Sequence, residues 1–162
     1  MATATTSRPA GSQQARAPVG GGLAAGTALA MRAIAPRCRL LLAEPEGAAD
    51  GARSLARGVL DHDFIPDTVC DGLRGTLGAP NFAILRGPDV EVQTVPDAAT
   101  IAAMRLLWTR TKQLVEPSSA IALAAVLARR ERFAGRKVGI ILSGGNVDLE
   151  ALPALFAHGG VA

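Results

Sequence analysis

A chain of 162 residues, 49% hydrophobic and 19% charged, has the length and apolar content for one packed domain of ordinary size. Its charge of +3 and pI near 9.5 come from 15 scattered arginines and two lysines, and four Phe, one Trp and no Tyr make a poor stacking platform for single-stranded nucleic acid. The longest near-apolar stretch, residues 120–128, is too short to span a bilayer. Neither nucleic acid nor a membrane is therefore an expected partner.

The two cysteines, Cys38 and Cys70, have no metal-ligand spacing and suggest no disulfide framework, so a reducing, cytoplasmic setting is the default. Residues 1–17 are rich in Ala, Ser, Thr and Arg, and no acidic residue occurs before Glu44. They read as an unstructured leader, with an organelle transit segment as the alternative. The domain proper is expected over 18–162.

Residues 23–35 are Ala- and Leu-rich, begin after a glycine run and stop at Pro36, which predicts a helix. Residues 38–43 form a short continuous apolar run, the pattern of a strand buried on both faces. Residues 47–57 fit a helix, and 61–80, punctuated by Pro66, Gly72, Gly75, Gly78 and Pro80, read as loop. A short strand is expected at 90–95. In 97–115, Ile101, Met104, Trp108, Thr111 and Val115 recur at helical steps and predict a helix packed on the core. Pro117 suits the first turn of the next helix, which is apolar nearly all round up to Ala128. Residues 137–142 read as a second strand buried on both faces, and 147–156 as a short helix interrupted near Pro153. Helices alternating with continuous apolar strands predict an α/β fold with a mainly parallel sheet flanked by helices.

Two glycine clusters carry the chemistry. Gly20-Gly21-Gly22 opens a helix, where backbone N–H groups and the positive end of the helix dipole favour an anion, most often phosphate. The competing readings are a flexible joint and a dinucleotide fingerprint. Gly20, Gly22 and Ala25 satisfy G-x-G-x-x-G/A, and Glu44 stands where a ribose-binding acid belongs. The fingerprint, however, should follow an apolar strand, and residues 11–18 are polar.

Further segments follow in order: Ala43-Glu44-Pro45-Glu46-Gly47-Ala48-Ala49-Asp50, the loop from Pro66 to Arg74, Val115-Glu116-Pro117-Ser118 and Leu142-Ser143-Gly144-Gly145-Asn146. With Pro18-Val19-Gly20-Gly21-Gly22-Leu23 they resemble the C-terminal half of serine racemase and the serine/threonine dehydratases, pyridoxal phosphate enzymes of the second fold type. The resemblance runs from Pro18 to Phe156.

It implies that Gly20, Gly21, Gly22 and Leu23 hold the cofactor phosphate and that Ser143 meets the pyridine nitrogen. A neutral hydroxyl there does not keep the nitrogen protonated as a carboxylate would, which suits proton exchange and β-elimination at Cα over transamination. Glu116 would lie on the same side of the ring or simply cap the next helix. In the racemase branch, Glu44, Asp50 and the Ala48 carbonyl match a divalent-cation site for Mg²⁺ or Ca²⁺, and Lys112 and Asn146 match nucleotide contacts.

Three departures limit the likeness. The loop has three glycines after the valine where the family has four, and the strand leading into it is replaced by polar Gln13-Gln14-Ala15-Arg16. No Ser-x-Lys segment supplies the Schiff-base lysine, since no lysine precedes Lys112 and neither Lys112 nor Lys137 matches that context. No catalytic residue is therefore assigned. The expected protein is an incomplete large domain of this fold: a truncated product, an incomplete gene model or one part of a split enzyme. Its family reaction is serine racemization or dehydration of serine or threonine. It is expected to form a homodimer or to dock onto a lysine-bearing half or full-length relative. A non-catalytic dimerization or binding module is the alternative, with a dinucleotide-binding domain behind it.

Overall fold

The computed structural model describes residues 2–7, 12–16 and 20–158. Five strands form one sheet: β1 (Ala2–Ser7), β2 (Ser12–Arg16), β3 (Cys38–Pro45), β4 (Val90–Val95) and β5 (Lys137–Leu142), in the order β1-β5-β2-β3-β4. Strands β5, β2, β3 and β4 run parallel to one another, while β1 pairs antiparallel with both β5 and β2. Parallel neighbours require crossover connections. Helix α1 (Gly22–Ile34) joins β2 to β3, α2 (Asp50–Arg57) and α3 (Ala79–Leu85) lie between β3 and β4, and α4 (Asp97–Thr111) and α5 (Pro117–Ala128) between β4 and β5. Helix α6 (Leu152–His158) follows β5.

The sheet is covered by helices on both sides, and β3 shows why its sequence is a continuous apolar run. Successive side chains of a strand point to opposite faces. Leu40 and Leu42 pack with Ala24, Ala25 and Ala28 of α1 and Phe82 and Leu85 of α3. Leu41 packs with Ala122 of α5 and Phe133, and Ala43 with Val95, Ala103 and Ile121. All four β3 residues are at most 2% exposed, so a polar side chain at any of them would be buried without a partner.

Of the α4 positions its periodicity indicates, Ile101 and Met104 are buried and Trp108 meets Phe156 edge to face with ring centroids 5.9 Å apart, whereas Thr111 is exposed; Leu107, outside that pattern, is also buried. The helix stops at Thr111 rather than continuing to 115, because Lys112 takes a left-handed conformation (φ 60°) and turns the chain out.

Three expectations are corrected. First, residues 2–7 and 12–16 are not an unstructured leader: they are strands β1 and β2, and β2 lies between β5 and β3. A central strand is held by main-chain hydrogen bonds to both neighbours, which glutamine or serine supplies as well as valine does. The sheet position before the glycines is thus filled; the rest of the 1–17 span, and the start of the domain at 18, lie outside the described residues. Second, the 61–80 segment is not loop to its end: α3, which the sequence reading did not mark, begins at Ala79, with Pro80 in its first turn and Phe82 and Leu85 buried. Third, β5 is not buried on both faces. Val138, Ile140 and Leu142 pack beside Leu41, Ala122 and Phe133, whereas Ile141, which points the other way, is 38% exposed.

Candidate cofactor-binding site

The parallel register brings the two glycine clusters to one edge of the sheet. Gln14 of β2 is paired with Gly139 of β5 and Ala15 with Ile140, so both strands run out on the same side. From β2 the chain reaches Gly20; from β5 it passes directly to Ser143. Crevices at the carboxyl ends of parallel strands are where α/β sheets hold ligands.

Gly20 and Gly21 have φ of 54° and 82°, a backbone that L side chains rarely adopt, and Gly21 stands at the N-cap of α1. No side chain caps the helix and no acid lies in its first turn. The first amides of a helix have no intrahelical acceptor, and among the described residues no hydrogen bond takes up the N–H groups of Gly20, Gly21, Gly22 or Leu23. A Cβ added at Gly20 or Gly22 would meet no heavy atom within 4 Å, whereas one at Gly21 would press on Asn81 and Leu77 at 2.6 Å. The loop therefore has one packed inner wall and an open outer one lined by unpaired donors. That arrangement fits a phosphate.

At the end of β5, Ser143 is exposed and the two residues after it are held from both sides. The Ser119 hydroxyl accepts the Gly144 amide at 2.8 Å and donates to the Gly144 carbonyl at 2.8 Å. That same carbonyl accepts the Glu116 amide at 3.2 Å. Glu116 Oε2 accepts the Asn146 amide at 3.0 Å, and any side chain at Gly144 would collide with the Glu116 carboxylate. Glu116 thus caps α5 by backbone position and braces the Ser143 turn with its side chain. Ser119, unmarked in the sequence reading, is the second brace.

Glu44 near the end of β3, Ala48 in the turn that follows and Asp50 at the start of α2 are all buried. Glu44 Oε1 accepts the Gly51 amide at 3.1 Å and Oε2 the Ala52 amide at 2.7 Å, so the carboxylate sits on the first turn of α2. Burial, with a smaller push from the nearby Asp50 carboxylate, takes its pKa from 4.5 up to about 8 against the pull of those amides. Asp50, raised chiefly by burial, accepts the Leu77 amide at 2.7 Å. Two buried carboxylates side by side suit a hard cation. Among the described residues no three His, Cys, Asp or Glu side chains converge, so any ion here would need main-chain oxygens as well. At 2% exposure Glu44 has no surface to offer a ribose.

Lys112 and Asn146 are both exposed and belong to loops that touch, since a Cβ at Gly145 would lie 2.7 Å from the Leu114 carbonyl. Lys112 Nζ donates to the Thr109 carbonyl at 2.6 Å. Lys137 begins β5 and so stands at the opposite edge of the sheet from Ser143, roughly 20 Å away at a strand's rise per residue.

Residues 16–144 match the family described as pyridoxal-phosphate dependent enzyme, and the chain belongs to that family. It is 43% identical over 138 residues to the beta-hydroxyaspartate dehydratase of Paracoccus denitrificans, covering 85% of this chain and 44% of that protein. It is 41% identical to the serine racemase of Arabidopsis thaliana, covering 82% and 42%. The structure of maize serine racemase superposes with a TM-score of 0.79 at 41% identity, covering 89% of this chain and 46% of that one. The chain spans less than half the length of the curated relatives it matches. The fold is the α/β architecture of the second fold type of pyridoxal phosphate enzymes, and the dinucleotide reading of Gly20, Gly22 and Ala25 gains nothing from these likenesses.

Proposed function

We propose that this chain supplies the phosphate and ring contacts of pyridoxal phosphate in an enzyme acting on β-hydroxy amino acids, the class that includes serine, threonine and hydroxyaspartate. The observation that carries this reading is the uncapped helix start at Gly20–Leu23, beside Ser143 at one sheet edge. The chemistry supplied by the bound cofactor is electron withdrawal from the amino acid's Cα, which labilises its proton and allows loss of a β-hydroxyl.

The chain's own residues do the holding. Amides of Gly20, Gly21, Gly22 and Leu23 bind the phosphate, aided by the dipole of α1. Ser143 offers a neutral hydroxyl to the ring nitrogen, and Glu116 and Ser119 keep that hydroxyl in place through Gly144. The Schiff-base role is assigned to neither lysine of this sequence. Lys112 is turned back onto its own helix, and Lys137 is at the far edge. The lysine is supplied by a segment outside these 162 residues, in the same polypeptide or in a docked partner. Glu44, Asp50 and the Ala48 carbonyl hold Mg²⁺ or Ca²⁺, and Lys112 and Asn146 are the candidate nucleotide contacts. A cytoplasmic setting goes with this reading, since the two cysteines have no spacing that suggests a disulfide framework.

Calorimetric titration with pyridoxal phosphate and with pyridoxal tests the phosphate contact. The phosphorylated form is expected to bind at least about tenfold tighter, the scale of charge-assisted hydrogen bonds. Equal affinities would remove the phosphate loop from the account.

A further inference from the structure

The carbonyl of Gly20 faces inward, where it accepts two hydrogen bonds. One comes from the Gly78 amide at 3.2 Å, the other from the Asn81 carboxamide nitrogen. Asn81 lies in the first turn of α3, 61 residues from Gly20 in sequence. Its Cβ is also the surface against which Gly21 packs without room for a side chain.

The consequence follows from the planarity of the peptide. In a trans peptide the C=O of one residue and the N–H of the next point in opposite directions, and no cis peptide occurs among the described residues. Holding the Gly20 carbonyl inward therefore turns the Gly21 N–H outward, to the open side of the loop. Without that hold, glycines at 20 and 21 are free to rotate the intervening peptide at little steric cost. The loop would then present a carbonyl oxygen where a phosphate needs a donor.

The geometry points to Asn81 as the positioning residue of the phosphate loop, fixing the peptide between Gly20 and Gly21 so that its N–H faces the cofactor phosphate. This rests on the reading of the loop as a phosphate site. The side-chain chemistry is specific: facing a carbonyl, the carboxamide must present its nitrogen, so an isosteric carboxylate reverses the contact from attraction to repulsion. The neighbouring Gly78 amide, at 3.2 Å, then leaves the carbonyl with one donor in place of two. Asn81 is partly exposed at a helix start, so its replacement leaves the core intact.

The test uses the whole chain, with pyridoxal phosphate, pyridoxal and inorganic phosphate as calorimetric probes. Asn81→Asp and Asn81→Ala are compared with wild type, and Asn81→Gln, which keeps a donor amide, serves as the conservative replacement. Circular dichroism and melting temperature report the fold. The expected result is about a tenfold loss of affinity for pyridoxal phosphate and for inorganic phosphate in Asn81→Asp and Asn81→Ala, with pyridoxal affinity unchanged and partial recovery in Asn81→Gln. If Asn81→Asp does not fold, the Asn81→Ala comparison decides. Folded variants that retain the wild-type preference for the phosphorylated ligand overturn the role of Asn81 and leave the phosphate site standing. A wild type with no such preference overturns both.

Discussion

The Asp50 carboxylate and the Leu77 amide, 2.7 Å apart, connect the buried acidic corner to the glycine loop at the start of α1. Leu77 precedes Gly78, whose amide reaches the Gly20 carbonyl, and its own side chain closes the inner wall behind Gly21. The turn after β3 and the turn after β2 are thereby braced by one short segment ahead of α3. Two sites that the sequence separates share a support.

Mg²⁺ or Ca²⁺ is expected to raise the melting temperature of the wild type, because an ion that binds only the folded state stabilises it by mass action. Asp50→Asn, of the same shape but without the charge, is expected to lose that increment. Thermal melts with and without millimolar cation give the comparison, and an equal rise in both proteins would sink the cation site.

Gly144→Ala is expected to weaken binding of pyridoxal itself. The added methyl collides with the Glu116 carboxylate and disturbs the Ser143 turn, so the loss appears with pyridoxal and pyridoxal phosphate alike. This pattern is opposite to that of the Asn81 variants, and a variant with unaltered pyridoxal affinity would take Ser143 out of the ring contact.

The ion pair of Glu91 with Arg132 sets an acid limb on stability. Hydrogen bonding to Arg132 holds the Glu91 carboxyl below its ordinary 4.5. A group with a lowered folded pKa contributes stability that is present above the unfolded value and lost as pH falls through the folded one. The contribution is therefore complete above about pH 5 and disappears below that. Both partners are about 30% exposed, which limits it to roughly 0.5 kcal/mol. Glu91→Gln is expected to flatten the stability profile below pH 5 in denaturant titrations; an unchanged acid slope would show the pair to be inert.

Cys70 is fully buried, and burial pushes its thiol up to about 12. The thiolate is the reactive form, so at pH 8 neither Cys70 nor the buried Cys38 is expected to react with a disulfide reagent until the protein unfolds. Rapid release of one thiol equivalent from native protein would contradict the packing around β3 and the loop before α3.

The parts legible in the sequence are those in which side-chain chemistry and local structure agree. The run at Leu40–Ala43 is apolar because both faces of β3 are covered, and the steps Ile101, Met104 and Trp108 mark a helix face because each reaches the core. The glycine clusters are legible for a similar reason: each needs a backbone or an approach that a side chain prevents. What escaped the sequence is main-chain or long-range. Strand β2 is polar in sequence, and its place in the sheet is marked by main-chain pairing to β5 and β3, which leaves no signature in side-chain hydrophobicity. Helix α3 is short, and its start at Ala79-Pro80 stands among residues that also make turns. Asn81 bears no local mark at all, since its partner lies 61 residues earlier.

The lysine assignment has its own check. After incubation with pyridoxal phosphate and reduction with borohydride, neither Lys112 nor Lys137 is expected to carry stoichiometric label. Stoichiometric labelling of either, accompanied by turnover of serine, would show that the chain is a complete catalyst.

The most direct measurement is an amide nitrogen–proton correlation spectrum of the assigned chain, titrated with pyridoxal phosphate and, in parallel, with pyridoxal. The account predicts that the phosphorylated ligand shifts the amides of Gly20, Gly21, Gly22 and Leu23 together with those around Ser143, and that pyridoxal perturbs only the Ser143 region. Shifts confined to another face, or none at the glycine loop under saturating pyridoxal phosphate, would contradict it.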